Sequence, residues 1–525
     1  MRDRSADDPR VTLPRPAPPT AALARRTALR LGGSAAAVGA AMLAGCSSGG
    51  SDAGRPQPGG QTPADATGTS DSTQVRHFRS RPDLQPARVV VDTDQGPSAG
   101  AILLDSHAGA GQQGPMILDS AGELVWFKPL SAHKSARLRA MNLRVQQYRG
   151  EPVLTWWEGA VVHAHGQGHY VVANARYEQI ATVSAHNGYQ ADLHEFVLTD
   201  AGTALFTCYG TSRADLRSLG GSATNLYYYG VIQEVDLATG DLVFQWRSDR
   251  HVPFNDSYAP MMKLRTVGWD QFHINSINVA PDGNLIVSSR NTWTVYKVHR
   301  GTGEVMWRMG GKHSDFTMDS GARFAWQHHV TPHADGRYTI FDNEAGDYKV
   351  GKRSRGLVLN VDEDRRRASL VRQYTPPVPI LSPALGSVQQ LANGNVFVGW
   401  GERPYFTEYR PDGSIAFSGH LDGAGTFDYR AFKSAWTGQP GGAPVLAASR
   451  TDGATSAAAS WNGDTRVRHW KLLAGPSADR LTVVAQVPRR GFETTITTRH
   501  AAPLLAVAGY DADGRELGRS AVQAV

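Results

Sequence analysis

Cysteine is almost missing from this chain of 525 residues: there are two, Cys46 and Cys208. That excludes a disulfide framework, and Cys208, alone in the body of the chain, reads as a small buried hydrophobe. Clustered positive charge is missing as well. The formal net charge is +6, but residues 1–46 hold seven Arg against three Asp and so supply +4 of it, leaving about +2 for the remainder. No Lys/Arg run follows, which argues against nucleic acid as a partner, since phosphate binding needs a clustered basic surface. The apolar stretch from Leu31 to Ala44 is too short and too rich in Gly and Ala for a stable membrane span. Long helical periodicity is also lacking between about residues 87 and 436, which points away from helical folds.

What is present at the start is a charged pair, Arg25-Arg26, a short apolar core and the run Leu43-Ala44-Gly45-Cys46. This has the layout of a secretory signal, expected over residues 1–46, and its end resembles a lipobox, in which Cys46 would be lipidated. The paired arginines suggest the twin-arginine route. Residues 47–86 are expected to form a disordered linker between this anchor and a folded body, because the run to about residue 75 is mostly Gly, Ser, Pro, Asp and Thr. The protein is thus expected to be exported and held at the membrane by lipid.

From residue 87 the texture is short β-branched and aromatic runs separated by turns. Asp119-Ser120-Ala121-Gly122, Ala238-Thr239-Gly240-Asp241 and Gly301-Thr302-Gly303-Glu304 each lead into a strand ending in Trp126, Trp246 or Trp307. A second set interleaves with them: Asp282-Gly283, Asp335-Gly336 and Asn393-Gly394, hairpin turns that favour positive φ. Residues 273–309 contain four such strands, His273 to Ala280, Asn284 to Arg290, Thr294 to His299 and Glu304 to Met309, which is one propeller blade. The fold class is therefore all-β, with a six-bladed β-propeller over 87–436. After the linker Thr437–Gly442, residues 437–525 are expected to hold a small β-sandwich, which carries none of the clustered His or Arg residues and is expected to be dispensable for the chemistry.

Three histidines occupy one repeated place. His194, His273 and His328 precede the turn glycines Gly202, Gly283 and Gly336 by 8, 10 and 8 residues. On strands without bulges these even offsets put all three on one face, lining the central channel, with His329 facing away. Arg290 falls opposite His273 across the hairpin, and a guanidinium placed beside an imidazole suits an anion. Asn275 shares the face of His273 and could add a hydrogen bond. His163, His165, His169, His186, His299 and His313 sit in polar contexts and read as surface or turn residues.

The segments Asp192-Leu193-His194-Glu195-Phe196, Trp269-Asp270-Gln271-Phe272-His273-Ile274-Asn275, Ser288-Ser289-Arg290-Asn291 and Phe324-Ala325-Trp326-Gln327-His328 resemble the bacterial arylsulfotransferase family, and Gly491-Phe492-Glu493-Thr494 looks like its actinobacterial branch. The resemblance runs from about Gly114 to Trp436. It implies a six-bladed propeller that moves a sulfuryl group from one phenol to another through a sulfohistidine, in ping-pong order, with no cofactor and no nucleotide donor. His328 matches the nucleophile, and His194, His273 and Arg290 match its partners. Aryl sulfates and phenols are the implied small-molecule partners. Two other readings are carried: a non-catalytic exported propeller that binds a glycan or protein, and a metalloenzyme using His194, His273 and His328 as a three-histidine site.

Overall fold

The computed structural model describes residues 74–130, 138–261 and 267–525. The signal segment with Cys46, and the linker as far as residue 73, lie outside the described residues.

Six antiparallel blades follow one another around a central axis. Blade 2 runs Leu138–Tyr148, Glu151–Val162, His165–Ala173 and Gln179–Val183, and blade 3 runs Ala191–Leu198, Thr203–Ala214, Asn225–Asp236 and Leu242–Arg247. Blade 4 is Ile274–Val279, Leu285–Ser289, Thr294–Val298 and Val305–Gly310, within a residue or two of the limits expected from its turns. Blade 5 is His328–Pro332, Arg337–Asp342, Arg355–Asp362 and Arg367–Tyr374, and blade 6 is Ser387–Gln390, Val396–Gly399, Tyr405–Tyr409 and Ile415–Leu421. Blade 1 mixes both ends of the propeller: Ala101–Ser106, Gly114–Leu118 and Leu124–Phe127 are joined on the inner side by Phe432–Ser434. Val89–Asp94 in turn closes the outer edge of blade 6 against Ile415–Leu421. The ring is therefore sealed twice, which leaves neither of these blades with a strand missing.

The repeated tryptophans explain why the turn-strand-Trp unit recurs. Each lies on an outermost strand and is buried against the next blade. Trp246 Nε1 donates to the Gly303 carbonyl at 2.9 Å, in the turn of blade 4. Trp307 Nε1 donates to Glu363 Oε2 at 3.1 Å, in the last turn of blade 5. Trp126 packs on Trp156 of blade 2 with centroids 6.2 Å apart. A buried indole needs a partner for its N–H, and the neighbouring blade supplies it in two of the three cases.

The axis is not an open pipe. Arg430, just before the inner strand of blade 1, is fully buried and reaches Glu195 Oε2 of blade 3 at 3.0 Å and the Asn275 carbonyl of blade 4 at 2.8 Å. Arg144 of blade 2 takes the other Glu195 oxygen at 2.6 Å. This Arg–Glu–Arg bridge ties four blades together, and removing one member would leave a buried charge uncompensated, at a cost of about 3–5 kcal/mol.

Beyond the propeller, two sheets form the sandwich. One pairs Val445–Thr451, Ala454–Ser460 and Glu493–Thr498; the other is built on His469–Gly475 and Leu504–Tyr510. Trp470, Leu472, Ile496, Leu505 and Val507 fill the space between them. Two expected linkers prove to be structured. Residues 74–86 fall within the expected disordered linker, yet Phe78 and Leu84 are buried, Phe78 packs on Phe492 at 4.4 Å, and Ser80 bonds both Ser460 and Glu493 of the sandwich. These few apolar side chains at the end of a polar run are enough to dock it. The Gly/Pro run after Trp436 is likewise held, with Gln439 N–H on the Ala175 carbonyl at 2.8 Å and Gly438 N–H on Thr465. Asn462 clasps the Phe127 backbone in both directions, at 3.0 and 2.9 Å, so the sandwich is built onto blades 1 and 2.

Candidate active site

His194, His273 and His328 come from the inner edges of three consecutive blades, and all are buried. The His194 and His273 rings meet edge to face with centroids 4.8 Å apart. His328 lies within electrostatic reach of both, and of Arg290. The backbone N–H of Arg290 donates to the His273 carbonyl at 3.0 Å, so the expected cross-strand pair forms.

The route to this convergence differs from simple alternation. Pairing in blade 4 shifts by one between Ile274 and Ser276, placing a bulge at Asn275. Blade 5 shifts between His328 and Thr331, and the first hairpin of blade 3 between Phe206 and Cys208. The assumption of bulge-free strands therefore fails in all three blades. The histidines stay together because each inner strand is interrupted near its histidine, and bulges commonly re-aim side chains beside functional sites. Backbone strain gathers here too: His273, Trp293, Trp326 and His329 all have φ between 47° and 58°. For a tryptophan that region is a genuine outlier, sustained only by surrounding structure.

Each imidazole has a different neighbour. His194 Nδ1 sits 2.5 Å from Asp192 Oδ2, and His273 Nδ1 sits 2.6 Å from Asp270 Oδ2. His328 Nδ1 faces the Asn343 side-chain oxygen at 2.8 Å. The orientation of Asn343 is set by its NH2, which donates to the carbonyls of Ser382 and Leu385 at 2.9 and 3.1 Å. Its oxygen must then accept from His328 Nδ1–H, which leaves the lone pair on Nε2. That nitrogen meets only the Leu385 N–H, at 3.3 Å. Burial, reinforced by the Arg290 charge, holds the His328 pKa well below the ordinary imidazole value. His273 is pushed down to about 4, mainly by burial, against the pull of Asp270. Burial alone would raise Asp270, but His273 and His165 together hold it well below the usual carboxylate range. At neutral pH His273 and His328 are thus uncharged imidazoles, and Asp192 and Asp270 ionised carboxylates.

Arg290 lies at the edge of the cluster, its guanidinium 4.7 Å above the Trp326 ring. One nitrogen donates to Asn291 Oδ1 at 2.8 Å and another to the Pro383 carbonyl at 3.3 Å, leaving further N–H donors of the fork for an anion. Gly346 packs so closely on this pair that a Cβ would strike the Trp326 ring and approach Arg290 Nη2 to 2.8 Å. Glu402 is near enough for Arg290 to act on it, yet burial still raises its carboxyl to about 7.

Asn275 does not take the place expected of it. Its Nδ2 donates to the Gln327 carbonyl at 2.6 Å, and the atom left over, Oδ1, is an acceptor. An acceptor cannot clamp an anion, so Asn275 positions the chain leading to His328. Gln327 does the same from the other side, its NH2 engaging Ser288 Oγ and the Ser289 carbonyl. His329 turns from the cluster toward blades 6 and 1, where Nδ1 accepts from Val388 N–H at 3.2 Å and the ring meets Phe432 at 5.4 Å.

His165, read from sequence as a surface or turn residue, belongs to the cluster. It is buried, its Nε2 is 2.9 Å from the same Asp270 oxygen that holds His273, and its ring packs on Tyr209 at 4.0 Å. Its signal was hidden because it follows a tight turn, His163-Ala164, whose positive φ values fall on residues other than glycine. Among the described residues, the group able to bring ligand atoms within 4.8 Å of one another is His165, Asp270 and His273. The set His194, His273 and His328 is not gathered in that way.

The sequence profile of the arylsulfotransferase (ASST) family matches residues 144–422, a span that contains every residue of this cluster. Among curated proteins no relative matches the chain. Solved structures show low similarity. A protein of unknown function from Bacteroides caccae is 13% identical over 64% of this chain and 99% of its own, with a TM-score of 0.40. The periplasmic gluconolactonase of Pseudomonas aeruginosa is 12% identical over 76% of this chain and 99% of its own, with a TM-score of 0.34.

Proposed function

The chain belongs to the arylsulfotransferase family, and on that premise we propose that it transfers a sulfuryl group between phenols in two steps through a covalent adduct on His328, without a nucleotide donor. The observation that carries this reading is the buried Nε2 of His328, which the Asn343 amide leaves without a proton, which meets only the Leu385 N–H, and which lies within reach of the Arg290 charge.

In the first step His328 Nε2 attacks the sulfur of an aryl sulfate. The S–O bond to the ring breaks and the phenolate departs with the electron pair. The adduct keeps its Nδ1–H on Asn343. Arg290 meets the charge of the sulfuryl oxygens, by analogy with phosphoryl transfer. In the second step an acceptor phenol passes its proton to the imidazole of His273 or His194, while its oxygen attacks sulfur and the S–N bond breaks, restoring neutral His328. Asp270 and Asp192 stabilise the imidazolium that forms.

Steady-state rates with a chromogenic aryl sulfate and a varied phenol test the scheme. Parallel double-reciprocal lines are expected. Intersecting lines, or no turnover, would count against it. We further propose that this takes place outside the cytoplasm, on a chain lipidated at Cys46. The Leu43-Ala44-Gly45-Cys46 run supports that reading, and Cys46→Ala is expected to release the protein from the membrane fraction.

A further inference from the structure

A cavity of about 570 Å3 lies where the sandwich meets blade 1. Blade 1 and the chain that leaves it supply apolar lining, with Leu118, Leu124, Val125 and Trp436, and the sandwich supplies Arg468 and Arg489. The volume lies within the range for sites that enclose a small organic ligand, about 300–1,000 Å3. This is the end of blade 1 where Ala101 pairs with Ser434. Arg430, which bonds Glu195 and the Asn275 carbonyl on the axis, precedes the opposite end of the same inner strand, Phe432–Ser434. No residue of the histidine cluster lines the cavity.

The two arginines are set side by side by the chain. They flank the paired strands His469–Gly475 and Thr482–Pro488, in which His469 partners Pro488, and the Arg489 N–H donates to the Arg468 carbonyl at 2.8 Å. Among the described residues neither guanidinium pairs with a carboxylate. Arg489 donates from Nε to the Gly491 carbonyl at 3.2 Å and from Nη1 to the Asp464 carbonyl at 2.6 Å. Arg468 donates from Nη1 to the carbonyls of Thr465 and Val467 at 2.8 and 3.3 Å. The Asp464 carboxylate is taken by Arg466 at 2.7 Å. That leaves Nη2 of Arg489, and Nε and Nη2 of Arg468, with N–H groups to give. Burial lowers the Arg489 pKa; Asp464 and Asp119 pull it back, and the Arg468 charge lowers it further. Two like charges on one lining, with no carboxylate bonded to either, are offset when an anion binds between them. Asp119 also lines the cavity, but its Oδ1 accepts from the N–H groups of Ala121 and Glu123 at 3.0 and 2.9 Å and serves its own turn.

We propose that this cavity is a second binding site, for a small organic anion: Arg489 and Arg468 hold its carboxylate or sulfate group, and its apolar body rests on the side made by Leu124, Val125 and Trp436. A guanidinium fork fits either oxyanion, and the hydroxyls of Ser120 and Thr437, on the same lining, add donors. The site needs both domains, which gives the sandwich a binding role although it carries none of the clustered histidines. It does not depend on the aryl-transfer reading.

The test uses the full-length protein, with benzoate and phenyl sulfate as anionic probes and benzyl alcohol as the neutral control. Binding is read by calorimetry. The wild type is expected to bind at least one of the anions about tenfold more tightly than benzyl alcohol, since hydrogen bonds to a charged group are the stronger ones. Arg489→Gln is expected to weaken that anion by about 10–100-fold. Arg468→Gln is expected to weaken it as well, and Ala435→Trp, which fills the cavity from its exposed lip, to abolish its binding. Arg468 and Ala435 are exposed, so these two variants stand as the test even where Arg489→Gln fails to fold. Turnover of a chromogenic aryl sulfate is expected to be unchanged in both, because the cavity lies apart from the histidines. Benzoate binding lost in these variants identifies a carboxylate ligand, and phenyl sulfate binding lost in them a sulfate ester. Phenyl sulfate binding that Arg290→Ala removes and Ala435→Trp leaves intact belongs to the histidine cluster and counts against the proposal. No anion bound by the wild type, or binding unaltered in Arg468→Gln and Ala435→Trp, would overturn it.

Discussion

The two sides of the histidine cluster differ in one respect. On blades 3 and 4 each imidazole leans on a carboxylate, Asp192 for His194 and Asp270 for His273. On blade 5 the partner of His328 is an amide, Asn343. A carboxylate stabilises a protonated ring and suits a residue that gains and loses protons. An amide fixes the tautomer without favouring the cation, which suits a nucleophile that must stay uncharged. On the proposed reading the contrast divides the work between three similar histidines: proton handling on one side, covalent chemistry on the other.

The comparison can be broken from either side. Asp270→Asn removes the charge that supports a protonated His273; a fall in kcat/KM of about 10²–10⁴ is expected, the range for a lost general acid–base group. A rate within a few-fold of wild type would remove His273 from the proton path. Arg290→Ala removes the donor aimed at the sulfuryl oxygens, with an expected loss of about 10²–10³ in kcat. The adduct should still form, slowly, since the nucleophile is untouched.

Asn343→Asp sharpens the comparison most specifically, because it gives blade 5 the partner that blades 3 and 4 have. A carboxylate raises the pKa of His328, which burial and Arg290 now hold well below the usual value. The sign is clear: His328 acts as the free base, so a raised pKa withdraws the nucleophile as pH falls. The acid limb of the kcat/KM profile is expected to move to higher pH, with a loss of roughly 10–100-fold at neutral pH, as for other partners that orient a reactive imidazole. An acid limb that stays in place would mean that Asn343 does not control the nucleophile.

Much of this was legible in the sequence, for reasons that differ between residues. The blades follow from turns whose glycines need positive φ, and Gly202, Gly283 and Gly336 do adopt it. Arg290 was found by hairpin register, a short-range property. Even spacing from the turn glycines groups His194, His273 and His328 only on strands without bulges; all three blades carry bulges, which leave no mark in the order of residues, and the structure adds His165 to the group. Asp192 and Asp270 stood in plain view, two and three residues before their histidines, and the spacing was the available signal for them. Asn343, His165 and Arg430 carried no such mark, because their contacts with His328, Asp270 and Glu195 span 15, 105 and 235 residues. Residues 74–86 show the opposite error: a polar composition concealed Phe78 and Leu84, which pack into the body of the protein.

The central claim is that His328, and not its neighbour His329, receives the sulfuryl group. The direct test is to mix the enzyme with an aryl sulfate in the absence of acceptor, quench at alkaline pH and map the modified peptide. The account predicts one sulfuryl group on His328, no adduct or turnover in His328→Ala, and a measurable rate in His329→Ala. A sulfuryl group on His329, or full activity in His328→Ala, would contradict it.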